Sequence, residues 1–114
     1  MKPEVTYEDF AKLDIRTGTI TKSSAVPKSK KLLKLEVFFG PEVGHRTILA
    51  GIASSYTSDP DGLVGVQVTA IINLAPREMM GETSHGMLLA GRATSTNTIQ
   101  LVQCLGGDIG GEIG

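Results

Sequence analysis

The sequence predicts an all-β chain, either a small barrel or a sandwich. Three observations carry this. Apolar residues recur with a period of two in "LLKLEVFF", residues 32–39, as on a half-buried strand. Gly- and Pro-bearing stretches such as "GPEVGH" and "TSDPDG" punctuate the apolar runs as turns would. Past the first dozen residues, no stretch keeps a helical period for long. A chain of 114 residues suits one core, so one domain is expected over residues 1–114.

Taken in order, "TYEDFAKL" opens with Thr6, and Asp9 follows three positions later. A threonine hydroxyl caps the free amides of a first turn, and an acid there favours the positive end of the helix dipole. A short helix is expected, with Phe10 and Leu13 on one face. "DIRTGTITKSSA" is rich in Thr and Ile and reads as a first strand. In "LLKLEVFF", Leu33, Leu35, Val37 and Phe39 face one way, and Lys34, Glu36 and Phe38 the other. "RTILAGI" is a third strand, and Asp59 and Asp61 around Pro60 form the turn after it. "LVGVQVTAIINL" is a β-branched fourth run. The stretch Asn73 to Gly91, "NLAPREMMGETSHGMLLAG", spends a dozen residues as a polar loop before entering another strand. "NTIQLVQCL" is a last strand, and "GGDIGGEIG" a glycine-rich tail with Ile109 and Ile113 able to dock. The economical architecture is a five-stranded OB-fold barrel with a short N-terminal helix and a C-terminal strand and tail extension.

Composition limits the function. The net charge is −1, so binding to nucleic acid requires a local basic patch rather than general charge. One cysteine, Cys104, cannot form an internal disulfide, which fits a reducing compartment. "MKPEVTYEDF" has no apolar run after its lysine, and no segment approaches the ~20 apolar residues of a membrane span. A soluble, cytoplasmic protein without membrane contact is the expectation.

Candidate chemistry narrows quickly. "KSKKLLK" puts Lys28, Lys30, Lys31 and Lys34 within seven positions. It reads either as a solvated turn or as an edge that tracks phosphates, each neutralised phosphate adding affinity by counterion release. Arg46 and Arg77 offer planar donor forks for phosphate or base, or simply aid solubility. His45 and His85 have no second ligand at metal-binding spacing, so no metal and no cofactor is expected. In "TSH", neighbouring strand residues point to opposite faces, which keeps Ser84 from His85 and argues against a nucleophile–base pair. No enzyme is expected. Met79, Met80 and Met87 are either core filler or flexible apolar platforms for a base or sugar.

The motif "NLAPREMMGETSHGMLLA" resembles the signature of the tRNA-binding OB-fold family. That family comprises free-standing structure-specific tRNA-binding proteins and C-terminal domains of methionyl-tRNA synthetases. Asn73, Leu74, Pro76, Arg77, Gly81, Ser84, Gly86, Met87, Leu88, Leu89 and Ala90 match its pattern. "DFAKLDIRTGTI", "KLLKLEV", "RTILAGI" and "LVGVQV" resemble the family's helix and its first four strands, in order. The resemblance implies a non-catalytic protein that recognises the folded tRNA shape, as a homodimer in free-standing members. It places RNA contacts on Lys31, Lys34, Arg46, Asn73, Arg77, Ser84 and Met87. Ile109 and Ile113 are the expected pairing surface. Two departures stand out. Lys30 replaces a family acid, and Glu78 stands where a lysine is common. Outward Phe38 is a stacking platform or a subunit contact. A chaperone of the same fold that holds apolar peptides, or a module that delivers tRNA to a methionyl-tRNA synthetase, are the alternatives.

Overall fold

The computed structural model describes residues 1–56 and 60–114. Its first element is α1, Tyr7–Ala11. The expected capping box is present: Thr6 Oγ1 accepts from the Asp9 amide at 3.2 Å, and the Asp9 carboxylate accepts from the Thr6 amide at 3.4 Å. The helix stops sooner than expected. Lys12 is its C-cap, Leu13 falls just past it, and both Phe10 and Leu13 are exposed. No α1 residue is buried, so local capping, not core packing, holds this turn together.

The barrel strands are β1 (Ile15–Ala25), β2 (Leu33–Phe38), β3 (His45–Ala50) and β4 (Gln67–Ile71). Between β3 and β4 lie a short helix, α2 (Ala53–Tyr56), and a 3-10 turn, Pro60–Leu63. The turn expected around Asp59 begins at residues 57–59, outside the described residues. Next come β5 (Arg77–Met79), β6 (Glu82–Ser84) and β7 (Met87–Leu88). The chain ends in β8 (Ala90–Ala93), β9 (Thr98–Leu101) and β10 (Glu112–Ile113).

The main sheet runs β3-β2-β1-β4-β7, with antiparallel pairing throughout. Long β1 serves both barrel neighbours: its first half pairs with β4 and its second with β2, and the register shifts between Ile20 and Lys22. A bulge there bends and twists the strand, which lets one strand turn the corner of a barrel. Closure comes from the segment between β6 and β7. The His85 amide donates to the Thr47 carbonyl at 2.8 Å, and the Leu49 amide to Ser84 Oγ at 3.0 Å. The five paired strands therefore make a nearly closed barrel, as the sequence predicts.

Alternation on β2 is as expected: Leu33, Leu35 and Val37 are buried, and Lys34, Glu36 and Phe38 are half-exposed. The inward set meets Ile20, Phe39, Ile48, Val68 and Ala70 in the core. Each fully buried aliphatic side chain contributes roughly 1.5–3 kcal/mol relative to exposure, which fixes the register of β2. Gly18 completes the packing. A Cβ there would lie 2.7 Å from the Phe39 ring and from Val37, so the large ring and the absent side chain are one design.

The C-terminal tail is part of the sheet. β10 pairs with the start of β1, Ile113 opposite Ile15. Arg16 clasps this end. It is 7% exposed, bonds Asp14 twice at 2.7 and 3.2 Å, and reaches Glu112 at 3.3 Å, Glu42 at 3.4 Å and the Gly110 carbonyl at 3.2 Å. Hydrogen bonding to the Asp14 carboxylate, aided by Glu42, raises its pKa above the ordinary arginine value against the opposing effect of burial.

Candidate functional site

The stretch after β4 is not the open loop its composition predicts. Most of it folds into a hairpin, β5 to β6, with Met79 opposite Glu82. Its two-residue turn is Met80 and Gly81, with φ of 51° and 79°. Positive φ at both positions is the turn that matches strand twist in tight hairpins. Gly81 adopts it freely, whereas Met80 is a rare non-glycine in that region.

Alternation along this hairpin sorts its side chains. Arg77 and Met79 share a face with Ser84 and look into a groove, while Glu78, opposite Thr83, is on the other face. Glu78 is thus kept out of the groove.

The groove encloses about 650 Å³. Leu32, Leu49, Ile52 and Leu74 form part of its wall, with Met79, Met87, Leu88 and Ile99. Among the described residues its polar side chains are Arg77, Ser84 and Arg92, and no carboxylate lines it. Arg77 has no hydrogen-bond or ion-pair partner among the described residues, and Arg92 Nη1 donates only to Asn97 Oδ1, at 2.8 Å. Met87 is 48% exposed on β7, which identifies it as a surface platform rather than core filler.

Ser84 has a different geometry. It is 3% exposed. Its hydroxyl accepts from the Leu49 amide and donates to the Gly86 carbonyl at 3.2 Å. Both capacities are used, so Ser84 fastens the hairpin to β3 and shapes the groove floor. Gly86 follows with φ 130°, and a Cβ would meet the Ile71 carbonyl at 3.1 Å. That close approach lets β7 lie against both β4 and β3.

Lys31 precedes the groove-lining Leu32 in the chain, and its backbone carbonyl accepts from the Ala53 amide at 3.0 Å. Lys34 Nζ lies 3.0 Å from Glu82 Oε2, tying β2 to the hairpin. This half-exposed pair is the kind that phosphate can displace. Arg77, Ser84 and Met87 are thus brought together in the groove lining, with Lys34 beside them through Glu82.

Arg46 and Asn73 are not in the groove. Arg46 Nη1 donates to the Ile72 carbonyl at 3.0 Å. Asn73 Oδ1 accepts from the Asp14 amide at 2.8 Å, and its Nδ2 donates to the Lys12 carbonyl at 2.7 Å. Both side chains join strand ends in this structure. Sequence reasoning missed Arg92. The available signal was a cation two residues after the "GMLLA" match, on a new strand. Outward Phe38 packs on His45, with ring centroids 4.7 Å apart.

Residues 15–107 match the family described as "Putative tRNA binding domain". The methionine–tRNA ligase of Methanococcoides burtonii is 48% identical over 100 residues, 88% of this chain but 14% of that protein. The chain thus spans about a seventh of the length of this curated relative. Among solved structures, the CsaA chaperone protein of Picrophilus torridus superposes with a TM-score of 0.88 at 28% identity, covering 97% of this chain and 100% of that one. The MetRS-related protein of Pyrococcus horikoshii gives 0.85 at 27% identity, covering 98% and 99%.

Proposed function

This chain belongs to the tRNA-binding domain family, and from that premise we propose that it is a non-catalytic protein that recognises the folded shape of tRNA. One observation carries the reading: Arg77 and Arg92, far apart in sequence, line one groove with no carboxylate in its lining among the described residues, and Lys34 stands beside it through its pair with Glu82. Folded tRNA presents phosphates at fixed spacing and few unpaired bases, so backbone contacts set orientation and shape supplies selectivity. Lys31, Lys34 and Arg77 track phosphates, and Met87 touches a sugar or base. Ser84 and Asn73 act by holding the surrounding backbone, and Arg46 braces the barrel end.

The whole chain, residues 1–114, acts as one domain, in the cytoplasm. Among the described residues no helix is long and apolar enough to cross a membrane. Pairing two copies would double the phosphate contacts on one rigid ligand, and a homodimer is the working form we propose. Ile109, 42% exposed, and Leu105, fully exposed, are available for that contact. Ile113 contributes less, since it is paired with β1 in its own chain. The resemblance to methionine–tRNA ligase also makes a synthetase a partner, the domain holding tRNA for a catalytic body.

Neutralising Lys31 and Lys34 together tests the site. Lys31→Gln/Lys34→Gln should weaken tRNA binding and lower the slope of log affinity against log salt by about one per lost phosphate contact. An unchanged slope removes both lysines from the interface. Light scattering on the same protein reads the oligomer directly, and a monomeric mass would overturn the dimer.

A further inference from the structure

The groove has a property that phosphate tracking does not use: its floor is apolar and its polar groups are already committed or cationic. We propose that it is a socket for one unstacked nucleobase, with the flanking phosphates held by Arg77 and Arg92. The proposal rests on the tRNA reading and names which part of the RNA enters the protein.

The size is right for a small ligand, since about 650 Å³ lies within the range of roughly 300–1,000 Å³ typical of such sites. The chemistry is selective for class. An occupant must present an apolar face to Met79, Met87, Leu88 and Ile99, and negative charge to two guanidiniums. A nucleobase between two phosphates has both. The Ser84 proton is already committed to the Gly86 carbonyl, so Ser84 donates no hydrogen bond to a base edge and the apolar floor favours stacking over base readout. Thioethers and guanidinium planes supply the stacking surfaces that aromatic rings supply elsewhere. Among the chain's four arginines, Arg16 is neutralised by three carboxylates. Arg77 and Arg92 carry no such partner among the described residues and share this groove. Folded RNA exposes unstacked bases in loops and at its ends, which lets a base enter while the rest of the molecule keeps its shape.

The test uses a 5′,3′-phosphorylated trinucleotide with 2-aminopurine at its centre, and the same trinucleotide with an abasic centre. Stacking of one base predicts binding at least about fivefold tighter for the base-bearing probe. Gly91→Leu fills the socket. A Cβ at Gly91 meets nothing within 4 Å, so the strand accepts the larger residue, and thermal melting verifies it. This variant should bind both probes with equal, weak affinity. Arg92→Gln should weaken both probes alike and keep the preference for the base.

Equal binding of the two probes by the native chain overturns the socket. Tight binding to folded tRNA in the same preparation would then leave the shape reading intact. Discrimination between the probes without tRNA binding does the reverse: the socket stands and shape recognition falls. An apolar peptide that displaces the base-bearing trinucleotide and binds more tightly than it would assign the groove to peptide, and the proposal would be wrong.

Discussion

Ser84 and Met87 stand three residues apart in one motif and do opposite work. Ser84 is buried with both hydrogen-bonding capacities used, whereas Met87 is half-exposed over the groove. Ser84→Ala should therefore destabilise the fold, by about 1–3 kcal/mol, because the buried Leu49 amide loses its acceptor. A thermal or urea melt reads this, and an unchanged midpoint would show that the bond contributes nothing. Met87→Ala should leave the melt where it is and weaken tRNA binding. A large loss of stability instead would place its side chain in the core. Sequence matching alone assigns both residues to one role, since a motif records which side chains recur and not where they point.

Among the elements, the most legible were those whose signal is local. The alternation of β2 needs only its own residues, and α1 needs only Thr6 and Asp9. The hairpin β5–β6 was hidden because its turn, Met80-Gly81, lacks the Asn-Gly or Asp-Gly pair that announces a tight hairpin. Its strands are three residues each, too short to display a period. Arg92 was missed for a similar reason, because the groove it lines is assembled from five distant segments. The Arg16 clasp was equally unreadable. Its three acids, Asp14, Glu42 and Glu112, are scattered over nearly the whole chain, and only folding gathers them. The clasp makes its own prediction. Arg16→Gln removes the shared cation from three carboxylates, so the β10 end should loosen first. Hydrogen exchange should show faster amides at residues 110–113 with core strands protected as before. Unchanged exchange there would mean that backbone pairing with β1 alone holds the tail.

At the scale of the molecule, a barrel of near-neutral net charge places two arginines without carboxylate partners among the described residues, Arg77 and Arg92, in one groove. Lys34 is the exception that shows the logic: its partner Glu82 sits on the hairpin, so a phosphate arriving at the lysine also competes for the contact between hairpin and β2. Glu82→Gln should release Lys34, strengthen RNA binding and steepen the salt dependence. Weaker binding would mean that the pair positions the hairpin more than it masks the lysine. The central claim is recognition of a folded shape, and it is tested most directly by comparing a folded tRNA with an unstructured RNA of equal length. Both are titrated at two salt concentrations, with protein of known oligomeric mass. The account predicts tighter binding to the folded tRNA at both salts, by a dimer. Equal affinity for the two RNAs, falling in parallel with salt, would contradict it and reduce the groove to a general phosphate-binding surface.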